Sequence, residues 1–406
     1  MPEPDHLRRV APSIPLAAAD RVSAIDILRG LALFGVMAIN VVFEFRVSIF
    51  QQFLSQRGPA PFDIAVSEFL ERAISMKAFA LFSLLFGIGL AMQFERLDPR
   101  RRTVLLLRRL LVLLAFGIVH LILIWNGDIL TEYALAGLLA LPLLFMPRGL
   151  LATGGLALLG LYFTGLLTRL VPLPDAAWMI RHGSEATRIY GGGGFSDILA
   201  FRIHEIAAIV PLHLWIFPRT LGLFLLGAFL WRSGVLRRAG ELSGWFFVAG
   251  LAALIASIDA GPSLAAVTLA LAYGAIIVGA ASTPLGARLL GWAAPLGRMA
   301  FTNYLMQSLI FGAVFYGYGF GMFGQLGVSA ALGFGTVVYF AQVIASQWWL
   351  ARFNFGPLEW LWRTLMYGQI QPMRRSYAPA VMCDAGVTVP QDDPTIACAE
   401  NVATMT

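Results

Sequence analysis

Charge is scarce in this sequence. Only 13% of its 406 residues are charged, and Lys77 is the sole lysine. A soluble domain carries about a quarter charged residues. A water-facing surface this poor in charge would aggregate, whereas a lipid-facing one needs none. Cysteine is almost absent as well. The two present, Cys383 and Cys398, lie in the C-terminal tail, so no disulfide framework or zinc pattern can be built and no metal is expected. The run Gly191–Gly194 is not followed by Gly-Lys-Ser/Thr, which excludes a phosphate loop. There is no strong internal repeat of the kind that marks many transporters. The net charge is +6, yet no basic stripe accompanies a soluble fold, so nucleic acid is not an expected partner.

Apolar residues make up 58% of the chain and mean hydropathy is +0.75. Apolar runs fall near residues 25–45, 78–94, 104–125, 129–146, 149–170, 207–231, 244–259, 263–282, 299–318 and 328–350. Each is long enough, or nearly so, to cross the hydrocarbon layer as a helix. The fold class expected is therefore all-α, a polytopic membrane bundle of about ten transmembrane helices. The first run, Ile25 to Phe45, lacks a cleavage site behind a short apolar core and reads as a retained helix. Arg96, Arg100, Arg101, Arg102, Arg108 and Arg109 cluster after the second run. Arg232, Arg237 and Arg238 follow the sixth run, and Arg352, Arg363, Arg374 and Arg375 follow the tenth. This alternation places both termini in the cytoplasm. The organisation expected is a cytoplasmic segment 1–24, a transmembrane domain 25–370 with a long outer connection 171–205, and a disordered cytoplasmic tail 371–406.

Ionisable residues at hydrocarbon depth cost about 2.5–3.5 kcal/mol each on insertion scales, so they are candidates for function. Arg219 sits in Phe217-Pro218-Arg219-Thr220, deep in the sixth run, where the proline frees backbone carbonyls that can accept from it. A structural ion pair between helices is the competing account. His6 and His182 lie in the tail and the outer connection, where solvation explains them. His120, His204 and His213 converge on one leaflet with Glu44, Asp128, Glu132 and Glu205. Histidine suits general-base work near neutral pH, and a carboxylate fixes its tautomer. His120 with Asp128 is a plausible pair across a tight turn, although an N-cap would equally justify an aspartate there. Interhelical hydrogen bonding is the bland alternative for each histidine.

A second polar set lies toward the cytoplasm. Asp26 and Arg29 are three apart on one helix face and can pair. Arg298 opens the ninth run, with Asn303 and Gln307 deeper. Gly356-Pro357-Leu358-Glu359-Trp360, with Trp362 and Arg363, forms an amphipathic interfacial segment. Arginines at this level suit a phosphorylated ligand, although arginine and tryptophan are also ordinary interfacial anchors.

The same residues carry a resemblance. Asp26-Ile-Leu-Arg29-Gly30 with Asn40, Phe82-Ser-Leu-Leu-Phe-Gly-Ile-Gly89, and His120 with Gly127-Asp128 and Tyr133-Ala134 resemble motifs of the YeiB-like bacterial membrane proteins. So do Gly297-Arg298, Asn303-Tyr304 with Gln307-Ser308, and Gly356-Pro357 with Glu359-Trp360 and Trp362-Arg363. The resemblance covers about residues 22–370 and implies a multi-pass protein of the bacterial inner membrane. The Asp-x-x-Arg-Gly start and the helix count are remotely similar to transmembrane acyltransferases typified by heparan-alpha-glucosaminide N-acetyltransferase. Those enzymes move an acyl group from cytosolic acyl-CoA to an acceptor on the far side, using a histidine after the first helix. Here Glu44 but no histidine follows Asn40, so that assignment does not carry over.

The expected function is an integral membrane acyltransferase with acyl-CoA as co-substrate and a hydroxyl or amine as small-molecule acceptor. Asp26, Arg29, Asn40, Glu44, His213, Arg298, Asn303, Gln307 and Glu359 are the candidate binding residues. His120 or His204 would act as base, Asp128 as its partner, and Arg219 as oxyanion stabiliser. An exporter or flippase of a small metabolite is the alternative, since intramembrane Arg and His serve proton-coupled transport too. A non-catalytic scaffold would leave Arg219 unexplained. Membrane lipid is an expected partner. The oligomeric state, homodimer included, is left open.

Overall fold

The computed structural model describes residues 23–54 and 60–375. Cys383 and Cys398, the N-terminal segment before Ser23 and the tail beyond Arg375 lie outside the described residues. The chain is all-α. Among the described residues the sole strand-like pairing is an isolated bridge between Phe353 and Arg374.

The order is α1 (Ser23–Ile39), α2 (Pro61–Ala73), α3 (Lys77–Arg96), α4 (Arg102–Val119), α5 (Leu130–Leu143), α6 (Arg148–Phe163), α7 (Leu166–Leu170) and α8 (Ala176–Gly192). Then come α9 (Phe195–Arg232), α10 (Ser243–Ala256), α11 (Pro262–Ala281), α12 (Pro284–Leu290), α13 (Ala294–Arg298), α14 (Ala300–Phe315), α15 (Val328–Leu350) and α16 (Pro357–Tyr367). Among the described residues six helical stretches are long and apolar enough to cross a membrane, and α5, α6, α10 and α14 are shorter apolar helices.

Most of α1 is buried because it is central, touching α3, α11, α13, α14 and α15. The helices approach closely where side chains are smallest. A methyl on Gly30 would strike the Ala293 carbonyl, and one on Gly297 would strike that of Asp26, so α1 and α13 cross backbone to backbone. In the same way Gly87 meets the Phe224 backbone, and Gly227 meets that of Leu84, where α3 crosses α9.

The connection 171–205 is mostly helical, not the loop that its composition suggests. Asp175 caps α8 by accepting from Trp178 N at 2.7 Å, and α9 begins at Phe195, well before the apolar run that announced it. α9 is 38 residues long, about 57 Å at 1.5 Å per residue. Its amphipathic first half hides its true start from a hydropathy scan.

Candidate functional site

Among the described residues two helices end in a π-helical turn, and both turns lie at the same end of the bundle. α1 runs on through Asn40–Phe45 and α4 through His120–Ile124. A π turn widens the helix and re-aims its side chains, and such turns recur at functional sites. Here they deliver Asn40, Glu44 and His120 to one region, called the far end because the arginine clusters lie at the other.

His120 and Asp128 are paired, Nδ1 to Oδ1 at 2.8 Å, and both side chains are fully buried. The second Asp128 oxygen accepts from Thr131 N at 2.7 Å. The aspartate therefore starts α5 and orients the imidazole at once. His120 Nε2 has no hydrogen-bond partner. One turn further along α5, Glu132 holds His213 Nδ1 at 2.8 Å and accepts from the Thr220 hydroxyl at 2.5 Å. A third pair joins His182 Nε2 to Glu205 at 2.6 Å, and that carboxylate also takes Tyr190 Oη at 2.7 Å and Asn126 Nδ2. Burial and the adjoining Glu205 hold the Tyr190 phenol well above its ordinary range.

His182 is a correction to the sequence expectation, which puts it in solvent. Its ring stacks on Trp178 at 4.3 Å and on Phe201 at 5.0 Å. The available signal is the four-residue spacing of Trp178 and His182 on an amphipathic helix. His204, by contrast, is exposed, with Nδ1 2.9 Å from the Ala200 carbonyl, and stands apart from the three pairs.

At the arginine end a cavity of about 360 Å³ opens between α1, α3, α4, α14 and α16. It is lined by the ionisable residues Asp26, Arg29, Arg96, Arg109, Arg298, Glu359 and Arg363, and by Phe82, Leu85, Phe86, Leu113, Tyr133 and Tyr304 among others. Asp26 and Arg29 pair at 2.9 Å. Arg109 lies over the Trp362 ring at 4.3 Å, and its carbonyl accepts from Trp362 Nε1. In the sequence Arg96 and Arg109 stand out only as topology markers, whereas Arg363 also belongs to the interfacial segment. Arg109 nevertheless lies inside an apolar run, and that is the clue to its place here.

Glu359 lines this cavity and also ties α16 to α14. It accepts from Phe301 N at 2.9 Å, Thr302 N at 3.0 Å and the Thr302 hydroxyl at 2.5 Å. Burial pushes its carboxyl above the usual range even against these donors. Asn303 and Gln307 do not line the cavity. Asn303 Nδ2 donates to Ser346 at 2.9 Å and Gln307 Nε2 to Gln342 at 2.8 Å, forming a polar ladder between α14 and α15. Arg219 is buried on α9, its guanidinium 5.8 Å from the Tyr162 ring centroid, and its Nε and Nη1 have no hydrogen-bond partner. Asn40 is buried with Oδ1 unpartnered.

The cavity and the far-end residues are neighbours. Tyr304, which lines the cavity, places its ring 5.3 Å from the His120 ring. Trp125, 6.1 Å from His120, lines a cleft of about 10 Å³ at the far end, together with Glu44, Asn126, Tyr190 and Glu205. That volume holds roughly one water. The His120–Asp128 pair thus sits between the two spaces and lines neither. Among the described residues no group of histidine, cysteine and carboxylate suits a metal ion.

Residues 205–369 match a family described as protein of unknown function (DUF418). Over 400 residues the chain is 32% identical to the uncharacterized protein YxaH of Bacillus subtilis (strain 168), covering 89% of this chain and 98% of that one. It is 30% identical over 389 residues to the uncharacterized protein YeiB of Escherichia coli (strain K12), covering 85% and 96%. An uncharacterized 39.9 kDa protein encoded in the amylase 3' region of Bacillus acidopullulyticus is 28% identical over 383 residues, covering 88% and 97%. No solved structure matches with significance.

Proposed function

Since the chain belongs to the YeiB-like DUF418 family of polytopic membrane proteins, whose relatives bring no activity with them, we propose from its site that it is an integral membrane acyltransferase. About ten spans, with both termini and the arginine end in the cytoplasm of a bacterial inner membrane, are part of this reading. The observation that carries it is the buried His120–Asp128 pair between a cavity at one end and a cleft at the other.

Acyl-CoA enters the cavity. Its phosphates lie among Arg29, Arg109, Arg298 and Arg363, where guanidinium groups suit phosphate geometry. The pantetheine arm and thioester run inward along the apolar wall toward Tyr133 and Tyr304. A volume of 360 Å³ is at the lower end of the range for ligand clefts, about 300–1,000 Å³, and suits the arm rather than the whole nucleotide. A histidine of the α5 pairs takes the proton of an acceptor hydroxyl or amine. The acceptor oxygen or nitrogen bonds to the thioester carbon, the carbon–sulfur bond breaks, and the thiolate recovers the proton as free CoA. A dry interior strengthens each electrostatic contact along this path. His204, exposed on α9, has no part in it.

The test is thermal unfolding of the purified protein in detergent with CoA, acetyl-CoA and longer acyl-CoAs. A ligand at 100 times its Kd stabilises by about 2.7 kcal/mol. A dose-dependent rise in midpoint, lost in Arg29→Ala and Arg109→Ala, is the expected result. No rise at millimolar ligand would overturn the reading in favour of metabolite transport, for which the chain of histidine–carboxylate pairs would serve as a proton path.

A further inference from the structure

His120 and Asp128 lie eight residues apart, so their 2.8 Å bond depends on the course of the segment between them. That segment leaves α4 as the π turn His120–Ile124, closed by a bond from Trp125 N to the His120 carbonyl at 2.7 Å. The last carbonyls of a helix have no partner within it. Arg202 on α9 supplies one. Its Nη1 donates to the Ile122 carbonyl at 3.1 Å, and the residue is 0% exposed. A cation at the carbonyl end of a helix is also favoured by the helix dipole.

One turn further along α9, Glu205 takes hold of the same segment. Asn126 donates its Nδ2 to Glu205 and, at 3.3 Å, to the Tyr190 hydroxyl, which itself donates to Glu205 at 2.7 Å. Between the two fastenings Trp125 is buried and stacks on Phe45 of the α1 π turn, ring centres 4.5 Å apart. Arg202 and Glu205 are three apart and share a face of α9. The connection that sets His120 against Asp128 is therefore bonded, before and after Trp125, to one turn of a long helix. The Arg202 guanidinium lies 5.6 Å from the Tyr316 ring centroid, and its Nε and Nη2 have no hydrogen-bond partner. Burying a cation costs free energy. A leucine would pack α9 against α4 without that cost, so packing alone does not account for an arginine here.

We infer that Arg202 is a positioning residue for His120: bonded to the π turn, with Asn126 fastened to Glu205 beyond it, it holds the imidazole against Asp128 in the tautomer that leaves a lone pair on Nε2. The inference rests on the acyl-transfer reading only for what that lone pair then does. With Nδ1–H given to Asp128, the unpartnered Nε2 takes the acceptor's proton and passes it to the CoA thiolate. A misplacement of about 1 Å can cost about 100-fold in rate, so a clamp remote from the reacting atoms has leverage on turnover.

The experiment uses the full chain in phosphatidylethanolamine/phosphatidylglycerol nanodiscs, labelled with 13C,15N-histidine and read by solid-state NMR. The His120 resonances are identified by their loss in His120→Gln. Wild type should show His120 in the single tautomer protonated at Nδ1. Arg202→Met, which removes the donor at similar volume, should add the second tautomer, and Arg202→Lys, which keeps a charged donor, should restore the single one. Asn126→Ala releases the other fastening and should also mix the tautomers; it stands in if Arg202→Met does not fold. Ile198→Ala opens a cavity one turn earlier on α9, and should lower the unfolding midpoint while leaving the His120 spectrum as in wild type. Thiol release from acyl-CoA should lose about tenfold or more in kcat in Arg202→Met, with KM within about twofold. Wild-type His120 resonances in the folded Arg202→Met or Asn126→Ala protein would overturn the inference. So would an equal disturbance in Ile198→Ala, which would mean general loosening of α9. The spectra need no acyl-CoA, so mixed tautomers in a protein without acyl-CoA stabilisation would count against acyl transfer and not against the positioning role.

Discussion

Tyr304 adjoins both His120 and the arginine-lined cavity, its ring 5.3 Å from the imidazole and part of the cavity wall. Tyr304 is thus the cavity residue whose ring packs against His120. Replacing it with Phe keeps the ring and removes the hydroxyl. Thiol release from acyl-CoA by protein in nanodiscs should fall by about tenfold or more in Tyr304→Phe, while acyl-CoA still raises the unfolding midpoint. Unchanged turnover would free Tyr304 of any part in proton movement.

Asp128→Asn leaves His120 with a neutral partner, while an amide oxygen can still accept from Thr131 N at the start of α5. Turnover should drop by about 100-fold or more, and the midpoint should fall, since a buried hydrogen bond to a charged group contributes about 1.5–3 kcal/mol. Thr131→Ala, which leaves the Asp128 side chain in place, serves as a control and should keep turnover.

Arg109→Leu removes a guanidinium that shares the cavity lining with Arg363 and Arg29. The unliganded midpoint should hold or rise, while acyl-CoA affinity should fall about tenfold or more. Wild-type affinity should weaken with added salt more steeply than that of the variant. A variant that binds as well as wild type would remove Arg109 from the site.

Glu359 supplies a pH signature. Its carboxyl, ordinarily near 4.5, is raised in the folded chain by burial. The folded state therefore prefers the protonated form, so this contribution to stability is complete below the unfolded value and is lost as pH climbs through the folded one. The midpoint of the wild type relative to Glu359→Gln should decline as pH rises above the ordinary carboxylate value near 4.5, as measured in parallel melts. A constant difference would mean that the group titrates alike in both states.

Gly297→Ala drives a methyl into the Asp26 carbonyl at the crossing of α1 and α13. Overpacking of this kind costs about 1–3 kcal/mol. Because the same crossing positions Arg29 and Arg298, the variant should lose acyl-CoA stabilisation as well as midpoint. Gly160→Ala on α6, where a methyl meets open space away from the cavity, should do neither.

Much of this was legible in the sequence. Hydropathy located the apolar helices, because lipid-facing and buried faces are both apolar and leave an uninterrupted run. The three-residue spacing of Asp26 and Arg29 gave their pair, and the tight turn between α4 and α5 gave His120 with Asp128. Other features were hidden. His182 looked solvated because helix α8 carries enough polar residues to read as a loop, and its partner Glu205 lies 23 residues away. Pairing of Glu132 with His213 spans 81 residues and depends on how α9 leans on α5, which no local pattern encodes. Asn303 and Gln307 looked like passage residues, yet polar groups deep in a bundle also serve to hold helices together, and here they face α15.

The layer formed by Trp125, His120 and Tyr304 has a bioenergetic meaning. A cell stores work as voltage, about 2.3 kcal/mol per elementary charge for each 100 mV. A water-filled bore through this bundle would drain that store as ions leaked along it. With the two spaces separated by packed rings and a buried pair, abundant expression of the protein should leave the resting voltage of its host undisturbed, however wide the arginine-lined cavity stands.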